Sequence, residues 1–134
     1  MEIVLQTNKE NPSLVFQNVT RFRDSSGYAV DLSIASGAFS AIYPFYFEEY
    51  PLTEFISSLS AMDETLSGKA TLKPMWEKQF IEFIAGNSGH VTVRGELLEH
   101  GAFTQKLAFG FKTDQTCLGP FIRALKSMQT MDPE

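Results

Sequence analysis

What this chain lacks narrows it first. Its one cysteine, Cys117, excludes an internal disulfide, and a reducing cytoplasm is the simplest expectation for such a chain. Residues 1–10 carry neither the basic lead nor the apolar centre of a secretory leader, which points the same way. No apolar run approaches the ~20 residues that a bilayer-spanning helix needs, so no membrane partner is expected. Positive charge is scarce as well: 11 Lys and Arg stand against 16 Asp and Glu, a formal net charge of −5. Direct binding to nucleic acid requires a basic face that displaces counterions, so the balance argues against it and makes a basic partner the natural one. There is no HExxH, no Asp-x-Asp-x-Asp-Gly loop and no phosphate-cradling glycine run, since Gly110 and Gly119 are isolated and Gly86 and Gly89 belong to a turn. No cofactor and no metal follow from these residues.

What is present is an ordinary globular composition. A chain of 134 residues suits one domain over 1–134, burying about two-thirds of the surface its unfolded form exposes. Twelve Phe against one Trp and four Tyr predict a Phe-rich core. Residues 3–5 are apolar and lead through polar residues to Pro12, so 1–12 reads as an edge strand or a loosely held arm. Residues 14–23 and 28–35 alternate apolar with polar around the turn sequence Asp24-Ser25-Ser26-Gly27, a hairpin with Val30, Leu32 and Ile34 on one face. In the aromatic segment 38–47, Pro44 argues for an edge strand where the sheet bends or ends. Pro51 then suits a helical first turn, Leu52, Phe55, Ile56, Leu59 and Met62 recur at helical spacing, and Gly68 is the stop signal. Further strands are read at 69–72, 79–85 and 91–98 and in the segment 102–112, where Leu107, Phe109 and Phe111 alternate with Lys106, Ala108 and Gly110. Leu118, Phe121, Ile122, Leu125 and Met128 return to helical spacing, with Thr113, Asp114 or Thr116 as the cap and Pro120 in the first turn. The expected fold is α+β: a twisted, mostly antiparallel sheet of about six or seven strands with two helices, at about 51–63 and 115–129, in the order β-β-β-α-β-β-β-β-α.

Few residues invite chemistry. His90 and His100 bracket one expected strand and so lie roughly 30 Å apart at ~3.3 Å per residue, too far for a shared metal or a two-histidine mechanism. Cys117 at a helix start is a nucleophile if the helix dipole lowers its pKa, and otherwise a small buried hydrophobe, the commoner case. Trp76 beside Pro74 either covers one end of the core, the preferred reading, or anchors a partner. Tyr43, Tyr46 and Tyr50, flanked by Glu48 and Glu49, are read equally as an acid-flanked contact surface or as packing of an edge strand.

Several stretches together resemble the WapI-type family of bacterial immunity proteins, over roughly residues 36–126. They are PLTEFISSLSAM, then LSGKATLKPMWEKQFIEF, then GHVTVRGELL, and finally QKLAFGFKTDQTCLGPFIRALK, with Thr113-Asp114-Gln115-Thr116 leading into Leu118 and Pro120-Phe121 as the most specific part. The resemblance implies a cytoplasmic, non-catalytic protein that neutralises the C-terminal nuclease domain of a cognate contact-dependent toxin. Such a binder would mimic the charge of nucleic acid over the nuclease's basic surface. The residues expected to contact the toxin are Glu48, Glu49, Tyr50, Asp63, Glu64 and Trp76, the first five around the two ends of the first helix. The protein is expected to be a monomer or weak homodimer. The alternatives are a homo-oligomeric adaptor pairing through 38–47 and a small hydrolase using Cys117 with His90 or His100.

Overall fold

The computed structural model describes all 134 residues. Strand β1 (Ile3–Val4) opens a meander with β2 (Ser13–Arg21), β3 (Gly27–Ser36) and β4 (Phe39–Glu48). Helix α1 (Glu49–Thr65) follows, and a second meander runs through β5 (Lys69–Leu72), β6 (Phe80–Ala85), β7 (His90–Glu99) and β8 (Gln105–Asp114) before helix α2 (Leu118–Met128). All neighbouring strands are antiparallel. The class expected from the sequence, α+β with two helices, is the class observed.

The single sheet of six or seven strands is not. Eight strands form two separate four-stranded sheets, A (β1 to β4) and B (β5 to β8), each in chain order. Sheet A ends at β4, where Pro44, lacking an N–H, is tolerated because one side of the strand has no partner to donate to. The chain leaves that edge directly into α1 and begins a new sheet on the far side. The first strand is also firmer than a loose arm: β1 pairs with β2, and Ile3 and Leu5 are buried.

Alternation in the sequence translates directly into burial. Tyr28, Val30, Leu32 and Ile34 of β3 point inward with Phe45 and Phe47 of β4, and in sheet B Val91, Val93 and Leu97 do the same. All five spaced residues of each helix are buried. Helix α1 stops two residues before Gly68, at Leu66, which takes the left-handed conformation at φ 58° and donates its N–H to the Met62 carbonyl. Asp114 accepts the Thr116 N–H and caps the single 3-10 turn that leads into α2, and Pro120 lies in the first turn of α2.

The two sheets share one core of 30 buried residues with no buried polar side chain among them. Phe121 of α2 is its junction. Its ring centroid lies 6.2 Å from that of Phe16 in sheet A, 5.5 Å from Phe83 in sheet B, where the rings stack, and 6.4 Å from Phe55 in α1. At the surface the sheets are joined by side chains rather than by strand pairing. Tyr43 donates to the Leu98 carbonyl at 2.6 Å, and Ser36 Oγ to the Gly110 carbonyl at 3.1 Å.

Candidate functional site

The residues that invite chemistry are apart. Cys117 is 3% exposed; its thiol donates to the Gln6 carbonyl at 2.8 Å and lies 3.2 Å from Thr113 Oγ1. That is the small buried hydrophobe of the two readings, a thiol closed to substrate. His90 and His100 stand at opposite ends of β7, on exposed positions. No three His, Cys, Asp or Glu side chains gather closely enough to hold a metal ion.

The expected contact residues divide. Glu49 is committed to the fold: its carboxylate accepts from Arg21 at 3.1 Å, from the Tyr28 hydroxyl at 2.9 Å and from Gln129 Nε2 at 3.3 Å. Arg21 also donates to the Gln129 and Met131 carbonyls, so this cluster ties β2, β3, α1 and the end of α2 together. Burial, then the hydrogen bond to Glu49, pushes the Tyr28 phenol well above its ordinary pKa and keeps it neutral. Asp63, at the other end of α1, accepts from Gln115 Nε2 at 3.2 Å, and Glu64 beside it is exposed. Fourteen positions along a helix separate Asp63 from Glu49, about 21 Å at 1.5 Å per residue. The two ends of α1 therefore form two sites and not one.

The remaining three come together. Glu48, the N-cap residue of α1, accepts the Met75 N–H at 3.0 Å, which fastens the 73–79 connection to the end of β4. Trp76 follows Met75 and is 86% exposed, so it does not cover the core; buried Pro74 takes that place. Tyr46 and Tyr50, two residues to either side of Glu48, are each 57% exposed. Tyr43 points inward and is half-buried. Burial raises its pKa, with Glu77 and Glu99 adding to the effect. The tyrosines thus split between the two readings: Tyr43 packs, whereas Tyr46 and Tyr50 face out.

Sequence reasoning missed Ile42, 73% exposed, although the signal was there: Ile42, Pro44 and Tyr46 share the parity opposite to buried Phe45 and Phe47. These positions belong to the outer face of sheet A. The outward residues there are Val4 on β1, Ser13, Val15, Gln17 and Thr20 on β2, Ala29, Asp31, Ser33 and Ala35 on β3, and Ser40, Ile42, Pro44, Tyr46 and Glu48 on β4. None is Lys or Arg. Asp31 is held by Asn18 Nδ2 at 2.8 Å. The face is charge-poor, bearing two carboxylates and no cation, with Ile42 and Tyr46 its exposed large apolar groups.

The family model for the WapI-like immunity proteins matches residues 7–130. The chain belongs to that family. No curated protein and no solved structure matches it. The match begins well before the stretch in which the resemblance was legible by eye, so the β2–β3 hairpin is part of the WapI-like framework and not an addition to it. No helix is long and apolar enough to cross a membrane.

Proposed function

We propose that the protein binds the C-terminal nuclease domain of a cognate contact-dependent toxin in the cytoplasm and neutralises it by covering its basic substrate-binding surface. The observation that carries this reading is the family match over residues 7–130. Three others support it. The formal net charge of −5 suits a cationic partner. The lone thiol is buried against Gln6, away from both histidines in its hydrogen bonding. Glu48, Tyr50 and Trp76 gather at one exposed corner, where aromatic anchors and a carboxylate offer a cationic protein both area and charge. Asp63 and Glu64, at the far end of α1, serve as outlying charges that steer approach.

The test is protection in cells. The nuclease domain of the toxin encoded beside this chain is induced with and without the chain, and survival and nucleic-acid cleavage are measured. Rescue by the wild-type chain is expected, together with a several-fold slower association at low salt for Glu48→Lys. Failure of the wild-type chain to rescue or to bind the domain would sink the reading.

A further inference from the structure

We propose that the outer face of sheet A, centred on Ile42 and Tyr46 of β4 beside the small residues of β3, is the seat for the cationic face of the nuclease domain. Tyr50 and Trp76 carry that surface round the corner of α1. The inference rests on the immunity reading and adds to it a location and a mode of contact: the broad face of a sheet rather than its edge or a helix.

Charge decides between the two sheet faces. The outward positions of β2, β3 and β4 bear two carboxylates, Asp31 and Glu48, and no cation. The outer face of sheet B bears Lys69, Arg94, Lys106 and Lys112, so a nucleic-acid-binding surface brought against it meets its own charge. The three carboxylates there, Glu82, Glu96 and Asp114, are engaged as Asp31 and Glu48 are, with Glu82 on Arg94 at 2.9 Å, Glu96 on Lys106 at 3.4 Å and Asp114 on the Thr116 N–H. That leaves Lys69 and Lys112 as unpaired cations on that face. Covering the paired groups would desolvate satisfied ion pairs for little return.

Shape points to the same face. Ala29, Ser33 and Ala35 leave β3 low, which lets a partner approach between the higher side chains of Ile42 and Tyr46. Tyrosine and tryptophan bring large contact area with few torsions to freeze, the property that makes them binding anchors. Strand addition along β4 is disfavoured, because Pro44 removes a donor from the middle of the open edge. The same proline works against a second copy pairing there, and two acidic faces repel.

The experiment uses a catalytically disabled nuclease domain of the toxin encoded beside this chain as the probe. Dissociation constants are measured for the wild-type chain, Ile42→Lys, Tyr46→Lys, Trp76→Ala and, as control on the outer face of sheet B, Thr92→Lys. The first two are expected to weaken binding about tenfold or more, Trp76→Ala somewhat less, and Thr92→Lys by less than about twofold. Amide exchange of the wild-type complex is expected to slow across β3 and β4, which locates the surface even if a variant fails to fold. Unaltered affinity in the sheet A variants, or slowing confined to β6–β8, would overturn the inference and leave the immunity reading intact. A wild-type chain that does not bind the probe at all overturns both. A homodimer that Ile42→Lys dissociates, with no binding of the probe, would assign the face to a second copy and overturn the inference in that way.

Discussion

Sheets A and B are built to one plan: four antiparallel strands in chain order, apolar residues inward at every second position, and a helix following the last strand. Their outer faces have been given opposite treatments. Sheet B is dressed with alternating charge, in which Arg94 reaches Glu82 and Glu96 while stacking over the Phe80 ring at 5.1 Å, and Thr71 donates to Glu82. Its exterior combines these pairs with the unpaired Lys69 and Lys112 and with outward Phe80, Ile84 and Leu98. Sheet A holds one side-chain contact on the corresponding face, Asn18 to Asp31, and no ion pair, and apart from Gln17, Thr20 and Glu48 presents small, aliphatic and aromatic groups to solvent. When two faces of one molecule share an architecture and differ in this way, the difference is not required by the fold. A charged, solvated exterior is the default for a sheet, and the outer face of sheet A is the one that departs from it.

The comparison depends on the two sheets sharing an interior, and the most damaging change is the one that separates them. Phe121→Ala removes the ring that touches Phe16, Phe55 and Phe83 at once, and is expected to cost about 3–5 kcal/mol. Denaturant unfolding followed by tryptophan fluorescence and by far-ultraviolet dichroism should show one coincident transition at a lower midpoint. Two separated transitions would mean that each sheet stands alone. Gly95→Ala strikes sheet B only. A Cβ there would collide with the Phe80 carbonyl and come within 2.7 Å of the Phe109 ring, so a loss of about 1–3 kcal/mol is expected in the same measurement. The smallest effect sharpens the contrast between exteriors. Arg94→Ala should cost about 0.2–1 kcal/mol, shrinking in 1 M salt as the pairs with Glu82 and Glu96 are screened. Gln17→Ala on the outer face of sheet A should show no such salt dependence. Equal salt dependence at both positions would erase the electrostatic difference on which the docking face rests.

Local pattern carried a good part of this fold. Leu52, Phe55, Ile56, Leu59 and Met62, and likewise Leu118, Phe121, Ile122, Leu125 and Met128, are buried as their spacing requires, because a helix buries what its 3.6-residue period aligns. The β2–β3 hairpin and the inward set of Val30, Leu32 and Ile34 followed from a two-residue period and a turn sequence. The division into two sheets did not, since it depends on which strand edges meet after α1 and β4 and β5 carry no residue that names a partner. Pro44 was the only local sign that a sheet ends there. The fate of Trp76 was hidden for a similar reason: it depends on a long-range contact, Glu48 holding the amide of Met75, 27 positions later, beside which Trp76 lies outward and Pro74 is buried. Glu48 is placed in sequence only by flanking a helix start, and Tyr50 reads equally as surface or as packing. Glu49 looked the same in sequence, and only the folded chain reveals Arg21, Tyr28 and Gln129 closing around it.

The position of Phe121 has a consequence during synthesis. The ring that joins the two meanders follows all eight strands in the chain, so each sheet leaves the ribosome before the residue that connects their inner faces. At ordinary translation rates, the apolar side of sheet A waits on the order of ten seconds for α2. In that interval Phe16, Phe45 and Phe47 lack their final cover, and nascent-chain chaperones have a defined target. The shared core is completed all at once, with the last helix, rather than growing as the chain emerges.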